Sequence, residues 1–220
     1  MLSEIGTLFV LISTLLSFFL IFFSTKEIRE KSVYPSKKIR NFSLLQFIFT
    51  NLSFIVLLVG YIASDFSLVN VYENSHTTKP LFYKISGVWG NHEGSLLLWI
   101  NILVLFSFLF LIKNHTIDKK FQLLTLIFQN MLIIGFFIFL ITISNPFSKI
   151  FPVPQEGLGL NPILQDPALA IHPPLLYLGF VGSSIYFSLA LASLICKFDG
   201  KNFANVTKPW ILCSWFFQTL

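Results

Sequence analysis

Long apolar runs recur along this chain and alternate with shorter polar stretches. Each run has about 20 residues, the length that an α-helix needs to cross a hydrocarbon core of roughly 30 Å. The pattern predicts an all-α, polytopic transmembrane helix bundle with five complete helices and the start of a sixth. The five helices are predicted at about Ile5 to Phe23, Phe42 to Ala63, Ser95 to Ile112, Phe121 to Ile143 and Pro173 to Ile195, and the sixth begins near Pro209.

The composition agrees with a chain that resides in a membrane. Of its 220 residues, 55% are hydrophobic and 11% are charged, whereas about a quarter of the residues in a soluble domain are charged. Because the runs leave little room between them, residues 1–220 are predicted to form a single membrane domain. The first run lacks a basic region before it and a small-residue cleavage site after it, which predicts a retained helix and not a signal peptide.

Basic residues are distributed unevenly among the loops. The loops after the first, third and fifth predicted helices hold twelve Lys and Arg residues, and the alternate loops hold Lys79, Lys84 and Lys149. The positive-inside rule therefore predicts that the N-terminus and the two long loops, residues 64–94 and 144–172, face outward. Because no soluble face gathers the basic residues, a nucleic-acid partner is not predicted. We expect the function at the outer loops, which hold most of the residues with chemical character.

The first outer loop ends in the sequence GVWGNHEGS, residues 87–95. Trp89 and Trp99 bracket the beginning of the third predicted helix, where indole rings prefer the headgroup level. His92 and Glu93 form an ionisable pair at the membrane edge, which needs partners, water or a ligand to offset its desolvation. Nearby glycines would let a second helix or a flat ligand come close. The residues alone leave interfacial packing and a functional site both open.

The second outer loop leads into the fifth predicted helix through the sequence AIHPPLLY, residues 170–177. Proline is favoured at the first position of a helix, so Pro173 and Pro174 are predicted to open this helix, with His172 at its outer lip. A residue that precedes a proline is driven out of the α-helical region, which would limit where the His172 imidazole can point.

The helix face beneath His172 is predicted to consist mostly of small residues, namely Gly179, Ser183, Tyr186 and Ala190. An imidazole above small side chains suits the axial ligation of a haem iron, because the macrocycle needs clearance. A helix-capping or interfacial histidine explains the same pattern. Small-residue helix packing is predicted for a neighbouring face that holds Ser184, Ser188 and Ala192.

Two stretches of sequence resemble a known family. VWGNHEGSLLLW, residues 88–99, and GLGLNPILQDPALAIHPPLLYLGFVG, residues 157–182, closely resemble the N-terminal half of the cytochrome c maturation protein F family, a group of membrane haem lyase subunits. Asn91 stands where that family more often has a small residue. The resemblance covers essentially all of the chain, including the order of its helices.

The resemblance implies a role in cytochrome c-type biogenesis. Members of this family receive haem from a membrane-anchored haem chaperone and, with a thiol-handling maturation subunit, support its covalent attachment to the CxxCH cysteines of apocytochrome c. They also hold a haem b of their own, which is ligated by two membrane histidines and passes electrons from quinol to the iron of the incoming haem. The histidine of the family's HPPLLY motif matches His172, which makes it the expected axial ligand of the haem iron. Trp89, His92, Glu93, Pro173, Pro174 and Tyr177 match motif positions near the haem path, and no catalytic residue is assigned.

The resemblance also implies that the chain is the N-terminal part of a larger haem lyase or one product of a split gene. The tryptophan-rich haem loop of the family should follow the helix that contains Trp210 and Trp215, and the sequence stops at Leu220. The second membrane histidine and the outer histidines of the family lie beyond it as well. The expected location is a bacterial inner membrane, with the mitochondrial inner membrane as the alternative.

A different class of function also fits intramembrane ionisable residues. In a solute or proton-coupled transporter, His92, Glu93 and His172 would form the path. Transporter sites usually lie at the bilayer midplane between internal repeats, whereas these residues lie at the outer edge and the sequence shows no internal repeat. A structural subunit of a respiratory complex is the third possibility.

Overall fold

A computed structural model describes residues 1–30, 34–113, 117–197 and 199–220, and this part of the chain folds into helices joined by loops. The helices are labelled in chain order. They are α1 (Leu2–Glu27), α2 (Lys37–Ala63), α3 (Val69–Asn74), α4 (Leu81–Gly87), α5 (His92–Lys113), α6 (Lys119–Thr142), α7 (Pro167–Phe180), α8 (Ser183–Cys196) and α9 (Gly200–Thr219).

The predicted all-α membrane architecture is confirmed. Five spans are long and apolar enough to cross a membrane, with α7 and α8 together forming the fifth. The first four spans each begin two to five residues before the predicted apolar run, because polar residues extend their N-terminal ends. The predicted start of the sixth helix near Pro209 is wrong. Helix α9 begins at Gly200, where the Asp199 carboxylate accepts a hydrogen bond from the Asn202 amide at 3.3 Å, and Pro209 lies inside it.

The predicted start of the fifth helix is also wrong. Helix α7 begins six residues earlier, because the Asp166 carboxylate accepts hydrogen bonds from the amides of Ala168 at 2.8 Å and Leu169 at 3.1 Å. Pro167 takes the first helical position that Pro173 and Pro174 were expected to take. His172 therefore lies inside a helix, and the conformational bias of a residue before proline is overridden there by the N-terminal cap.

Buried amide side chains join the helices in the middle of the bundle. The Gln46 side chain of α2 donates to Ser17 Oγ of α1 at 2.6 Å and to Asn130 Oδ1 of α6 at 2.9 Å. Gln129 of α6 donates to Ser184 Oγ at 2.8 Å and accepts from Ser188 at 2.9 Å. The predicted packing role of Ser184 and Ser188 is confirmed, with hydrogen bonds to α6 added to the close approach.

The two ends of the bundle differ in what they contain. The N-terminus and both long loops share one end, here called the outer end, where Ser3 Oγ donates to the Phe147 carbonyl at 2.6 Å. The long loops pair with each other, since the amide of Val69 donates to the Ser148 carbonyl at 2.9 Å. The other end, here called the inner end, holds the basic loops and a buried ion pair between Glu27 and Lys119 at 3.8 Å.

Candidate functional site

One hydrogen bond joins the two sequence motifs at the outer end. The indole N–H of Trp89, just before α5, donates to the Ala170 carbonyl of α7 at 2.8 Å. In an uninterrupted helix that carbonyl would accept from residue 174, but Pro174 has no backbone N–H. Trp89 therefore satisfies a carbonyl that the proline leaves free, and it fixes the first turns of α7 against α5.

Asn91 is the centre of a hydrogen-bond network that holds the first outer loop on the bundle. Its Oδ1 accepts from the amide of Gly94 at 2.8 Å and from the Asn70 side chain at 2.7 Å. Its Nδ2 donates to the Tyr61 hydroxyl at 2.9 Å. Glu93 joins the network by accepting from Asn70 at 3.1 Å. The acidic residue of the motif is thus tied to the loop structure.

The glycine after Glu93 is required by the fold of the motif itself. A Cβ atom at Gly94 would lie 1.7 Å from the Val88 carbonyl oxygen. The space expected for a second helix or a flat ligand is therefore filled by the turn that precedes α5.

An apolar cavity of about 650 Å³ opens beside the start of α5. His92 stands at its edge, with its ring 6.1 Å from that of Phe139 in an edge-on contact. Trp99 forms the wall, where its ring lies 5.6 Å from Phe136 and 5.5 Å from Tyr177. The cavity is lined by His92, Ser95, Leu96, Trp99, Met131, Leu132, Gly135, Phe136, Phe139 and Tyr177.

A second cavity of about 330 Å³ adjoins the first, since His92, Ser95 and Tyr177 line both. Four of the residues singled out from the sequence meet around it, namely Trp89, His92, Pro173 and Tyr177. The three others, Glu93, Pro174 and His172, do not line either cavity.

His172 is exposed. Gly179, seven residues further on, falls almost directly below it at 100° per residue. The clearance at Gly179 is taken by α9, because a Cβ atom there would lie 2.7 Å from the Gln218 amide nitrogen and 2.9 Å from the Ser214 carbonyl oxygen. The expectation that this small-residue face leaves room for a macrocycle is therefore wrong at Gly179.

The break between α7 and α8 also interrupts that predicted face. Residues 181 and 182 form a turn, so Ser183, Tyr186 and Ala190 belong to a separate helix.

The residues present fit part of a haem site. A haem iron needs axial ligands and its macrocycle needs apolar, flat surroundings. His172 presents an exposed imidazole at the outer end, whereas the aromatic walls belong to a cavity that His172 does not line. Within the described residues no group of three or more His, Cys, Asp or Glu side chains could hold a metal ion.

Several residues of this region were missed by sequence reasoning. Asn70 and Tyr61 hold the motif from positions more than twenty residues away in the chain. Phe136 and Phe139 complete the larger cavity from α6. Nothing local in the sequence distinguishes them from the many other aromatic and polar residues.

These features define a polytopic membrane bundle with a loop-capped outer end, an aromatic cavity and an exposed histidine beside it. Comparison with known proteins gives the family. The family described as Cytochrome C assembly protein matches residues 89–220. The chain belongs to this family, which confirms the resemblance drawn from the two motifs.

Curated relatives match most of this chain. It is 47% identical over 181 residues to the cytochrome c-type biogenesis protein CycK of Bradyrhizobium diazoefficiens, covering 82% of this chain and 27% of that protein. It is 41% identical over 182 residues to CcmF of Escherichia coli, covering 82% and 28%. NrfE of Haemophilus influenzae is 36% identical over 220 residues, covering 100% and 35%. The chain thus spans about a quarter to a third of the length of these relatives.

A solved structure has the same fold. The cytochrome c haem lyase CcmF superposes on 99% of this chain and 34% of its own length, with a TM-score of 0.81 and 24% sequence identity. The chain therefore has the multi-pass helical fold of this haem lyase, and its family is that of the cytochrome c assembly proteins.

Proposed function

We propose that this chain binds a resident haem b through His172 at the outer end and supports the covalent attachment of a second, incoming haem to the CxxCH cysteines of apocytochrome c. The observation that carries the proposal is the exposed imidazole of His172, on a helix whose first turns are fixed by Trp89. The names of the relatives, which are cytochrome c-type biogenesis proteins, support the same reaction. Family membership favours this function over a transporter.

The residues of the chain would contribute position and exclusion of water, since the hard chemistry belongs to the cofactor. The incoming haem supplies the vinyl groups that react with the substrate thiols, and the resident haem b would supply electron transfer. His172 would hold the iron of the resident haem through an imidazole nitrogen, and Trp89 restricts the movement of α7. The Asn91 network fixes the first outer loop, and with it the position of His92.

The larger cavity fits the proposed electron donor. A quinol has a flat ring, a hydroxyl at each end and an apolar tail, and this cavity has aromatic walls with His92 and Ser95 at its edge. We place the ring between Trp99 and Phe139, with a hydroxyl that donates a hydrogen bond to the His92 imidazole.

The outer end is where the other proposed partners would meet. A membrane-anchored haem chaperone would deliver haem next to His172, and apocytochrome c would reach the same side with a thiol-handling maturation subunit. All of these require the outer end to face away from the cytoplasm, as the positive-inside rule predicts. We assign the chain to a bacterial inner membrane, and the mitochondrial inner membrane remains the alternative.

The test uses the full-length protein purified in detergent. Oxidised and dithionite-reduced visible spectra are recorded for the wild type, for His172→Ala and for His76→Ala. His76 is the control, because it is a half-buried histidine of the first outer loop, outside α7, whose ring bonds to Thr78 at 2.9 Å and lies 3.9 Å from the Glu156 carboxylate.

We expect a b-type spectrum that His172→Ala loses or strongly weakens and that His76→Ala keeps. The stability of each variant is measured as well, so that loss of haem is distinguished from loss of folded protein. His172 is exposed, and substitution of an exposed side chain changes the stability little. A wild type without haem, or an unchanged spectrum in His172→Ala, would contradict the proposed role of His172.

A further inference from the structure

Two adjoining cavities lie at the inner end of the bundle, far from the site described above. The larger has a volume of about 490 Å³ and the smaller about 320 Å³, and they share Arg40, Leu111 and Ile112. Their remaining lining residues differ in character. The larger adds Tyr34, Pro35 and Gln122, and the smaller adds Lys37, Asn41, Leu44 and Phe108.

The basic side chains of these cavities differ from others nearby. Lys119 lies 3.8 Å from the Glu27 carboxylate, and Lys38 lies 3.5 Å above the ring of Phe23. Arg40, by contrast, is exposed and has no ion-pair partner in the part of the chain that the structure describes. Its guanidinium is therefore available to an anion, and guanidinium groups bind phosphate well because they donate two parallel hydrogen bonds.

Gln122 provides an independent observation that points to a ligand. It is completely buried and lines the larger cavity. Its Nε2 donates to the Leu111 carbonyl at 3.2 Å, but its Oε1 has no hydrogen-bond partner. A buried acceptor without a donor costs about 1–3 kcal/mol, so a hydroxyl group brought into the cavity would be stabilised there.

The remaining walls are apolar and lie one or two turns deeper. Leu44 of α2 and Phe108 of α5 line the smaller cavity below Arg40. Tyr34, whose ring suits the membrane interface, lines the larger one. A ligand that fits both cavities has an anionic head at the membrane surface, a hydroxyl close to it and an apolar chain.

We propose that these cavities bind one anionic phospholipid with a hydroxylated headgroup, such as phosphatidylglycerol. Arg40 and Lys37 bind its phosphate, Gln122 Oε1 accepts from a glycerol hydroxyl, and an acyl chain lies against Leu44 and Phe108. The inner end, which carries most of the basic residues, is the end where anionic lipids are attracted electrostatically.

The test is native mass spectrometry of the full-length protein in detergent, titrated with phosphatidylglycerol or with phosphatidylcholine of the same acyl chains. The variants are Arg40→Gln, Lys37→Gln and Gln122→Leu. Lys120→Gln is the matched control, because it removes one exposed positive charge from the inner end outside both cavities.

We expect one phosphatidylglycerol to bind at least about fivefold more tightly than phosphatidylcholine, since a basic residue near the surface contributes about 1 kcal/mol to anionic lipid binding. Arg40→Gln removes that preference and Lys37→Gln reduces it, while Lys120→Gln keeps it. Gln122→Leu weakens the binding of phosphatidylglycerol but not the binding of phosphatidic acid, whose headgroup lacks the glycerol hydroxyls.

Three results would overturn the proposal. They are equal binding of both lipids to the wild type, an equal loss of the preference for phosphatidylglycerol in Arg40→Gln and Lys120→Gln, and displacement of the lipid by soluble glycerol phosphate. The last would mean that the cavities recognise a free headgroup and not a lipid. Thermal midpoints in lipid-free detergent confirm that each variant is folded, and Lys37→Gln decides the question if Arg40→Gln is not.

Discussion

The first four spans and the last three helices are held together in different ways. Helices α1, α2 and α6 are joined by side-chain hydrogen bonds at Gln46, whose amide group is completely buried. Helices α7 and α9 meet through the missing side chain of Gly179, and α7 is fixed to α5 by the Trp89 indole. Helices α7 and α9 are thus held by a close approach of their backbones and by one indole donor, whereas α1, α2 and α6 are held by a buried amide side chain.

The largest expected effect is at the contact between α7 and α9. Gly179→Ala places a methyl group 2.7 Å from the Gln218 amide nitrogen, so two backbones must separate, at a cost of about 1–3 kcal/mol. Gly135→Ala is the control, because a Cβ atom there meets nothing within 4 Å. It should be neutral or stabilising by up to about 1 kcal/mol, since alanine favours a helix. Thermal midpoints in detergent measure both. Equal midpoints would remove the proposed difference between the two regions.

Gln46→Leu tests the hydrogen bonds of the first region. It removes two interhelical donors and leaves Asn130 Oδ1 without that donor, which should lower the free energy of unfolding by about 1–2 kcal/mol. Asn51→Leu is the matched change, because Asn51 donates within its own helix to the Phe47 carbonyl. A loss in Asn51→Leu as large as in Gln46→Leu would show that the interhelical bonds add nothing.

Trp89→Phe should cost about 1 kcal/mol, because the Ala170 carbonyl loses its donor. A double-mutant cycle sharpens the test. Pro174→Ala restores a backbone N–H that can donate to the same carbonyl, so Trp89→Phe should cost less when combined with it. The stability of all four proteins is measured by chemical unfolding. If Trp89→Phe costs the same stability with proline and with alanine at position 174, the indole does not compensate for the N–H that Pro174 lacks.

The outer loops should also show a pH dependence of stability. Burial lowers the pKa of Lys79 from 10.5 to about 8, and the charge of Lys84 adds to this shift. Below about pH 8 both states carry the proton, and the fold bears the full cost of the buried charge. Between about pH 8 and 10.5 the unfolded chain still holds the proton that the folded chain has released, so the free energy of unfolding rises with pH.

Lys79→Met should flatten that rise, whereas Lys201→Met, which changes an exposed lysine of α9, should leave it in place. The measurement is chemical unfolding across the same pH range. An unchanged slope in Lys79→Met would assign the pH dependence to other groups.

The sequence was sufficient to predict that the membrane spans exist, but not to predict the residues at which they begin and end. Apolar runs predict a helix because every backbone polar group in lipid must be satisfied internally. The start of α9 was missed because its first residues, from Gly200, are polar. The start of α7 was missed because the Asp166 cap outweighed the proline rule applied at Pro173.

For the candidate site, the sequence indicated the motif residues but not their partners. Trp89, His92, Pro173 and Tyr177 do meet around one cavity. The donor to Ala170 and the contact of Gly179 with α9 depend on chain segments that periodicity cannot bring together. The assignment of His172 to the haem iron stays a prediction.

The bond from Trp89 to Ala170 also makes the indole a natural reporter. Two successive prolines weaken the backbone ladder of α7, so its first two turns can tilt more easily than those of an uninterrupted helix. Any tilt that a partner imposes near His172 stretches the bond to Trp89. Because α5 begins three residues later with His92, the strain reaches the edge of the aromatic cavity, and the ultraviolet resonance Raman signal of the Trp89 N–H would record it.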